Sequence, residues 1–261
     1  MKHLEHLSIL SFSGEDAAEL LQGQMTQDIR SVNDEMIHVT SFCNVQGRVI
    51  ASSFIQGKNN QYDLILSSEL ADDLKNHLQR YLLSSKVVIE KSESMVFGAY
   101  KKDTDKNHQQ FRPLKNDPER MLFHSNQVPE NTDKFITSEE WIRCDIEKRI
   151  PIINKESTEK FIPQMLNLDI LDAVSFSKGC YTGQEVVARV QHRGRIKQRM
   201  FMIKAESQDL ISPGSEIHHG SKKVGTVVIS ILMDNYNTGL AVINSSDSKG
   251  QLNIGDKNIH L

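Results

Sequence analysis

This sequence offers little for cross-linking or metal capture. Its three cysteines, Cys43, Cys144 and Cys180, are too few and too scattered for a disulfide framework. None belongs to a Cys-x-x-Cys pair, so they read as reduced thiols. His3 and His6, like His218 and His219, are near neighbours. No set of three or four Cys, His or carboxylate residues has ligand spacing, however, so no metal site and no intrinsic iron-sulfur cluster is expected. A Gly-x-Gly-x-x-Gly turn, a Gly-x-x-x-x-Gly-Lys loop and a Gly-x-Ser-x-Gly elbow are all missing, which disfavours a nucleotide-driven enzyme and a serine hydrolase. Aromatic residues make up 6% of the chain, with a single tryptophan, Trp141. No segment approaches the roughly 18 uninterrupted apolar residues of a membrane span. The opening Met1-Lys2-His3-Leu4-Glu5-His6 lacks the apolar run of a signal peptide. A cytoplasmic protein without membrane contact is expected. The net charge of -3 argues against a wholesale nucleic-acid binder.

At 261 residues, 38% of them apolar and 25% charged, the chain is long enough for one large domain or two unequal ones. Apolar runs predict strands at Leu7 to Phe12, Ile37 to Cys43, Val49 to Gln56, Tyr62 to Leu66, Val87 to Glu90 and Met95 to Ala99. Between them, Ser13 with Asp16 predicts a cap for a helix carrying Ala17, Leu20 and Leu21. Ser67 or Ser68 predicts the start of another whose apolar face is Leu70, Leu74, Leu78, Tyr81 and Leu82. The fold class is α+β. Lys101 to Arg120 is strongly polar and reads as a surface loop or a boundary between lobes. Thr137 and Glu140 predict a capped helix with Trp141, Ile142 and Ile146, ended before Pro151. From Arg199 onward, short apolar runs at Met200 to Ile203, Lys223 to Ile229, Gly239 to Ile243 and Asn258 to Leu261 alternate with turn residues. They predict a small barrel or sandwich, with the boundary near residue 197. The expected organisation is 1–197 and 198–261.

The most informative stretch is Lys178-Gly179-Cys180-Tyr181-Thr182-Gly183-Gln184-Glu185. Thr182 and Glu185 have capping-box spacing ahead of Val186, Val187 and Val190, which predicts a helix from about Gly183. Cys180 then lies just outside its first turn, where amide N–H groups, the helix dipole and any nearby charge of Lys178 and Arg189 favour a thiolate. A small buried thiol after a glycine turn is the alternative. The segment also carries Lys178, Arg189, Arg193, Arg195, Lys197, Arg199 and Lys204 against the single acid Glu185. On one surface these would hold a polyanion, such as tRNA phosphates or the glutamate tail of a folate. Solvated cations at a helix end and linker are the alternative. A lone histidine such as His192 is usually neither ligand nor acid-base group.

This octet resembles the signature of the YgfZ family, the folate-binding proteins related to the T-protein (aminomethyltransferase) of the glycine cleavage system and implicated in iron-sulfur enzyme maturation and tRNA modification. Upstream lie Phe161-Ile162-Pro163-Gln164, Asn167-Leu168 and Ser175-Phe176-Ser177; downstream lie Val187-Ala188-Arg189 and Arg193-Gly194. Leu21-Gln22-Gly23-Gln24-Met25-Thr26-Gln27-Asp28 and Cys43-Asn44-Val45-Gln46-Gly47-Arg48 look like the family's N-terminal motifs. The resemblance covers roughly residues 5 to 200, and the octet is its most specific part.

The resemblance implies two intertwined α+β lobes around a central opening, followed by a small β-barrel. It also implies tetrahydrofolate or a derivative in that opening, and a role for Cys180, with Lys178 and Arg189, as the reactive centre. Ligand contacts are implied at Trp141, which matches a family tryptophan, at Leu7, which stands where another tryptophan is expected, and at Tyr181 and Glu185. A large aromatic on a helix is more often a core anchor. The implied partners are iron-sulfur client enzymes such as those that thiolate tRNA, with tRNA contact through Arg193, Arg195, Lys197 and Arg199 as a rival reading; monomer is the default. A folate-dependent one-carbon (aminomethyl or methyl) transferase is the other rival. Where the aminomethyltransferase has a Gly-Gly-x-x-Asp-Asp-like turn, this chain has Gly47-Arg48-Val49-Ile50-Ala51-Ser52. Ala51 and Ser52 supply no carboxylate to move a proton or stabilise a cation.

Overall fold

The computed structural model describes residues 2–83, 85–104, 110–129 and 132–261, with the Arg193 side chain left out. A five-stranded antiparallel sheet, in the order β2-β3-β4-β1-β5, forms the first lobe. Its strands are β1 (Leu7–Ser13), β2 (His38–Cys43), β3 (Val49–Lys58), β4 (Gln61–Ser67) and β5 (Val88–Ser92), with helices α1 (Ala17–Gln24) and α2 (Ala71–Gln79) between them. Every residue of β2 is buried, because chain covers both of its faces. The second lobe holds a three-stranded sheet, β6 (Met95–Tyr100), β8 (Asp117–Ser125) and β7 (Arg112–Leu114), followed by α3 (Ser138–Glu147).

The predicted strands of the first hundred residues are present. α1 buries its predicted apolar face, and α2 buries Leu74 and Leu78 but ends before Tyr81 and Leu82, which are half-buried; neither helix is capped as expected. Asp16 Oδ2 instead accepts the Lys86 N–H at 2.8 Å, tying the first turn of α1 to the approach to β5. The α3 cap is as predicted, with Thr137 Oγ1 accepting the Glu140 N–H at 3.2 Å. The polar stretch 101–120 is only partly a loop, and its residues 105–109 lie outside the described residues. It contains β7 and the start of β8, and Arg120 is fully buried. Polarity misled here because Arg120 brings its own partners: Nε lies 2.7 Å from Asp117 Oδ2, and Nη2 lies 2.8 Å from Asp145 Oδ1.

The lobes are woven together by chain that returns across them. Thr26 Oγ1 donates to the Ala173 carbonyl at 2.7 Å, the Val49 N–H to the Phe161 carbonyl at 2.7 Å, and the Thr182 N–H to the Gly23 carbonyl at 3.1 Å. After α4 (Gln184–Arg193) come β9 (Gln198–Glu206), β10 (Glu216–His219), β11 (Lys222–Met233), β12 (Tyr236–Asn244), β13 (Leu252–Ile254) and β14 (Lys257–His260). They close as a barrel in the order β10-β11-β12-β9-β14-β13. Its interior is a separate core that includes Ile203, Ile217, Val227, Ala241 and Ile243. Alternate residues, Met200, Val228, Leu240 and Val242, belong to the main core of the lobes, so the barrel is seated on them by its outer face. Among the described residues, no helix is long and apolar enough to cross a membrane.

Candidate functional site around Cys180 and the face between the lobes

Cys180 is exposed, whereas Cys43 and Cys144 are buried. Burial pushes the Cys43 thiol up to about 12, and Cys144 Sγ sits 3.4 Å from the Tyr100 hydroxyl. Cys180 is therefore the thiol available to solvent. It borders a cavity of about 510 Å³ whose walls include Val45, Tyr81, Tyr181, Gly183 and Ala188. Beside it the chain is locked. Lys178 is buried, and its Nζ donates to the Met25 carbonyl at 2.8 Å and the Gln27 carbonyl at 2.9 Å. The same ammonium lies 5.1 Å from the centre of the Tyr181 ring. Burial lowers the Lys178 pKa from 10.5 to about 8. Tyr181 is likewise buried, and its hydroxyl has no hydrogen-bond partner; burial, and then the Cys43 thiol, raise its pKa.

The expected capping box does not form. Gly183 is the N-cap of α4 with φ +85°, while Thr182 Oγ1 donates to Gln24 Oε1 at 3.1 Å and Glu185 pairs with Arg189 at 2.6 Å. Tertiary packing overrides the local signal, since a Cβ on Gly183 would stand 2.5 Å from the Asn44 carbonyl oxygen and 2.9 Å from Gly47 Cα. The two cations assigned to Cys180 are thus committed elsewhere, Lys178 to backbone carbonyls and Arg189 to Glu185.

Two cations of the basic segment are taken up inside the protein. Lys178 is internal, and Arg199 forks onto Asp169 at 2.7 and 2.9 Å while donating to the Gln164 carbonyl at 2.8 Å. Arg195, Lys197 and Lys204 are exposed, and the Arg193 side chain lies outside the described residues. His192 is exposed, edge-on to Phe176 at 6.3 Å. Among the described residues, no group of three or more His, Cys, Asp or Glu side chains is placed to hold a metal ion.

Leu7 lies on the sheet face turned to the second lobe, and Trp141 packs against the same face at Phe54. Directly paired residues share a face, and the pairs Leu7↔Ser67, Ile9↔Ile65 and Ser11↔Asp63, with Phe54↔Ile65, lay out one surface across β1, β4 and β3. The Trp141 ring is edge-on to Phe54 at 6.4 Å and under the Arg120 guanidinium at 4.4 Å. A Cβ on Gly98 would lie 2.5 Å from the indole, so only glycine admits the ring. Trp141 is 0% exposed and Leu7 6%: at this end the face is closed, and neither side chain presents surface to a ligand. Two strand residues along, the face opens into a cleft of about 440 Å³ between the lobes, lined by Ser11, Gln56, Lys58, Asp63 and Arg112 among others. These cleft residues escaped sequence reading, because single polar residues at strand ends carry no local signal.

Ala51 and Ser52 are buried. Ser52 Oγ donates to the Pro151 carbonyl at 2.7 Å and accepts the Ile153 N–H at 2.9 Å. The Ser52 hydroxyl thus stitches β3 to the chain leaving α3.

This arrangement is the fold of the glycine-cleavage aminomethyltransferases. The solved aminomethyltransferase T of the glycine cleavage system from Bartonella henselae matches it with a TM-score of 0.69 over 99% of this chain and 84% of that one, at 10% sequence identity. Within that class the sequence relatives are more particular. The chain is 26% identical over 275 residues to the tRNA-modifying protein YgfZ of Photorhabdus laumondii, covering 94% of this chain and 84% of that protein. To the tRNA-modifying protein YgfZ of an Enterobacter species it is 25% identical over 276 residues, covering 94% and 85%. An uncharacterized protein of Haemophilus influenzae is 28% identical over 266 residues, covering 99% and 94%. No family model matches the chain. The chain is thus similar in sequence to YgfZ proteins and shares the fold of an aminomethyltransferase.

Proposed function

We propose that this chain is a folate-binding accessory factor that supports tRNA modification by sustaining iron-sulfur enzymes, with Cys180 as its working thiol. The observation that carries the reading is the contrast within one short loop. Lys178 and Tyr181 are buried and fix the backbone, while Cys180 between them is exposed beside a cavity. A thiol held in this way is presented rather than packed, as contact with a sulfur, iron or one-carbon species requires. The printed name of the relatives, tRNA-modifying protein, supports the tRNA part of the reading.

The folate part rests on the family resemblance and the fold, and the residues fit it only in part. Leu7 and Trp141 are closed off, but the same sheet face opens at the Asp63 cleft, where carboxylate, amide and hydroxyl groups line a space of about 440 Å³. That range suits a bicyclic ring. Within the chain, the Lys178 clamp orients the Cys180 loop, and the return segment over Ser52 shields β3. Aminomethyl transfer draws no support from Ala51 and Ser52. Direct tRNA contact has only Arg195 and Lys197 exposed among the described side chains of its expected set; salt-dependent binding, weakened by charge reversal at those two, is its signature.

The test is complementation of a strain lacking the protein, read as thiolated tRNA by mass spectrometry. Cys180→Ser is expected to accumulate and fold normally and to restore nothing; full restoration would defeat the proposal. In parallel, tetrahydrofolate titration followed by Trp141 fluorescence and calorimetry is expected to saturate. The absence of binding by both methods would remove the folate part and leave the thiol part standing.

A further inference from the structure

Among the cavities, the inter-lobe cleft holds an arrangement of groups that neither the fold nor the thiol loop requires. Asp63, on β4, has a carboxylate 26% exposed that is shared between the lobes. Ser11 Oγ of β1 donates to its Oδ1 at 2.6 Å, and His124 Nε2 of β8 stands 3.1 Å from its Oδ2. Burial works to raise the Asp63 pKa, but the hydrogen bonds from His124 and Ser11 outweigh it and hold the carboxyl below its usual range. Each oxygen has one protein partner, so each retains acceptor capacity. The neighbouring Gln56 pairs directly with Asp63 across β3 and β4, and its buried Oε1 has no hydrogen-bond partner. The cations of the cleft are already engaged: Lys58 pairs with the Asp34 carboxylate, and Arg112 donates to the Asp34 and Phe111 carbonyls. The cleft therefore offers acceptors, and the ligand edge that suits it is planar, uncharged and rich in N–H donors.

We propose that the cleft receives the ring end of a reduced pterin, and that Asp63 is the specificity-determining carboxylate for its 2-amino and ring N–H edge, positioned by Ser11 and His124. The inference rests on the folate reading above and deepens it. The ring enters beside Asp63, and any glutamate tail points out of the cleft, away from Leu7 and Trp141. A carboxylate facing two adjacent donors makes paired, charge-assisted hydrogen bonds, whereas an amide in its place turns an N–H toward an N–H.

The experiment is calorimetric titration of the intact protein with tetrahydrofolate, with tetrahydropterin (ring without tail) and with p-aminobenzoylglutamate (tail without ring). Wild type is expected to bind the first two. Asp63→Asn is expected to weaken both by about tenfold or more. If folded Asp63→Asn binds tetrahydrofolate like wild type, the inference is overturned while the folate reading survives. If wild type binds no tetrahydrofolate, both fall. If wild type binds p-aminobenzoylglutamate and not tetrahydropterin, the proposed orientation is wrong. Should Asp63→Asn fail to fold, wild type decides with tetrahydrolumazine, which has an oxo group in place of the 2-amino group. Binding about tenfold weaker than tetrahydropterin supports the proposal, and equal binding overturns it.

Discussion

Lys178 and Arg120 are both buried cations, and they are satisfied by different partners. Arg120 sits between the carboxylates of Asp117 and Asp145; burial works to lower its pKa, but the two acids raise it instead. Burial raises the Asp145 pKa, against the pull of Arg120. Lys178 faces two backbone carbonyls, which carry partial charge only, and burial wins. The first arrangement is a core post stacked on Trp141, with one guanidinium between two carboxylates and Lys148 Nζ 3.8 Å from Asp117. The second is a clamp whose charge is incompletely offset, next to an exposed thiol.

The largest effect is expected at the post. Arg120→Met leaves two buried carboxylates facing each other and should cost about 3 to 5 kcal/mol in chemical denaturation; a loss below about 1 kcal/mol would mean the post is not structural. Gly183→Ala comes next, at about 2 to 4 kcal/mol, because it adds left-handed strain and a clash with the Asn44 carbonyl. The same variant should fail complementation, since the Cys180 loop shifts with it.

Lys178→Met is expected to cost about 1 to 2 kcal/mol near neutral pH, leaving the Met25 and Gln27 carbonyls unsatisfied. Its pH dependence distinguishes the clamp from the post. The folded pKa of about 8 lies below the ordinary 10.5. Between those values the unfolded chain holds a proton that the folded chain has released, and the Lys178 contribution to stability rises with pH. The advantage of wild type over Lys178→Met should therefore widen from pH 8 to 10.5, as urea midpoints at several pH values will show; a constant gap would remove the distinction. Smallest of all, Cys180→Ser should change stability by less than about 0.5 kcal/mol while abolishing complementation. Thermal unfolding checks the first half, and a large destabilisation would return Cys180 to the core.

Much of this was legible in one dimension. The apolar run at Leu7 to Phe12, the capped helix carrying Trp141 and the strand punctuation after Arg199 each correspond to observed elements, because apolar runs, caps and turn residues are local signals. Strands β7, β8, β10 and β13 were not legible: three of them have only three or four residues, which cannot establish a period, and β8 begins in the polar stretch read as a loop. At the site, Cys180 stood out as the thiol to examine, and it is exposed. The partners of its two neighbouring cations were not legible, because spacing says nothing about where a long side chain ends. Lys178 turns inward to Met25 and Gln27 carbonyls more than 150 positions away in sequence.

The sequence by itself determined the class of fold, the succession of lobes and barrel, and the loop on which a cysteine is displayed. Hydrophobic period, turn residues and a specific motif act over a few residues at a time. Only the tertiary structure decided that Trp141 is sealed into the core, that Arg199 and Lys178 are internal, and that Ser11, Gln56, Asp63 and His124 converge between the lobes. Those outcomes depend on which strands pair, in which register, and on what the returning chain covers.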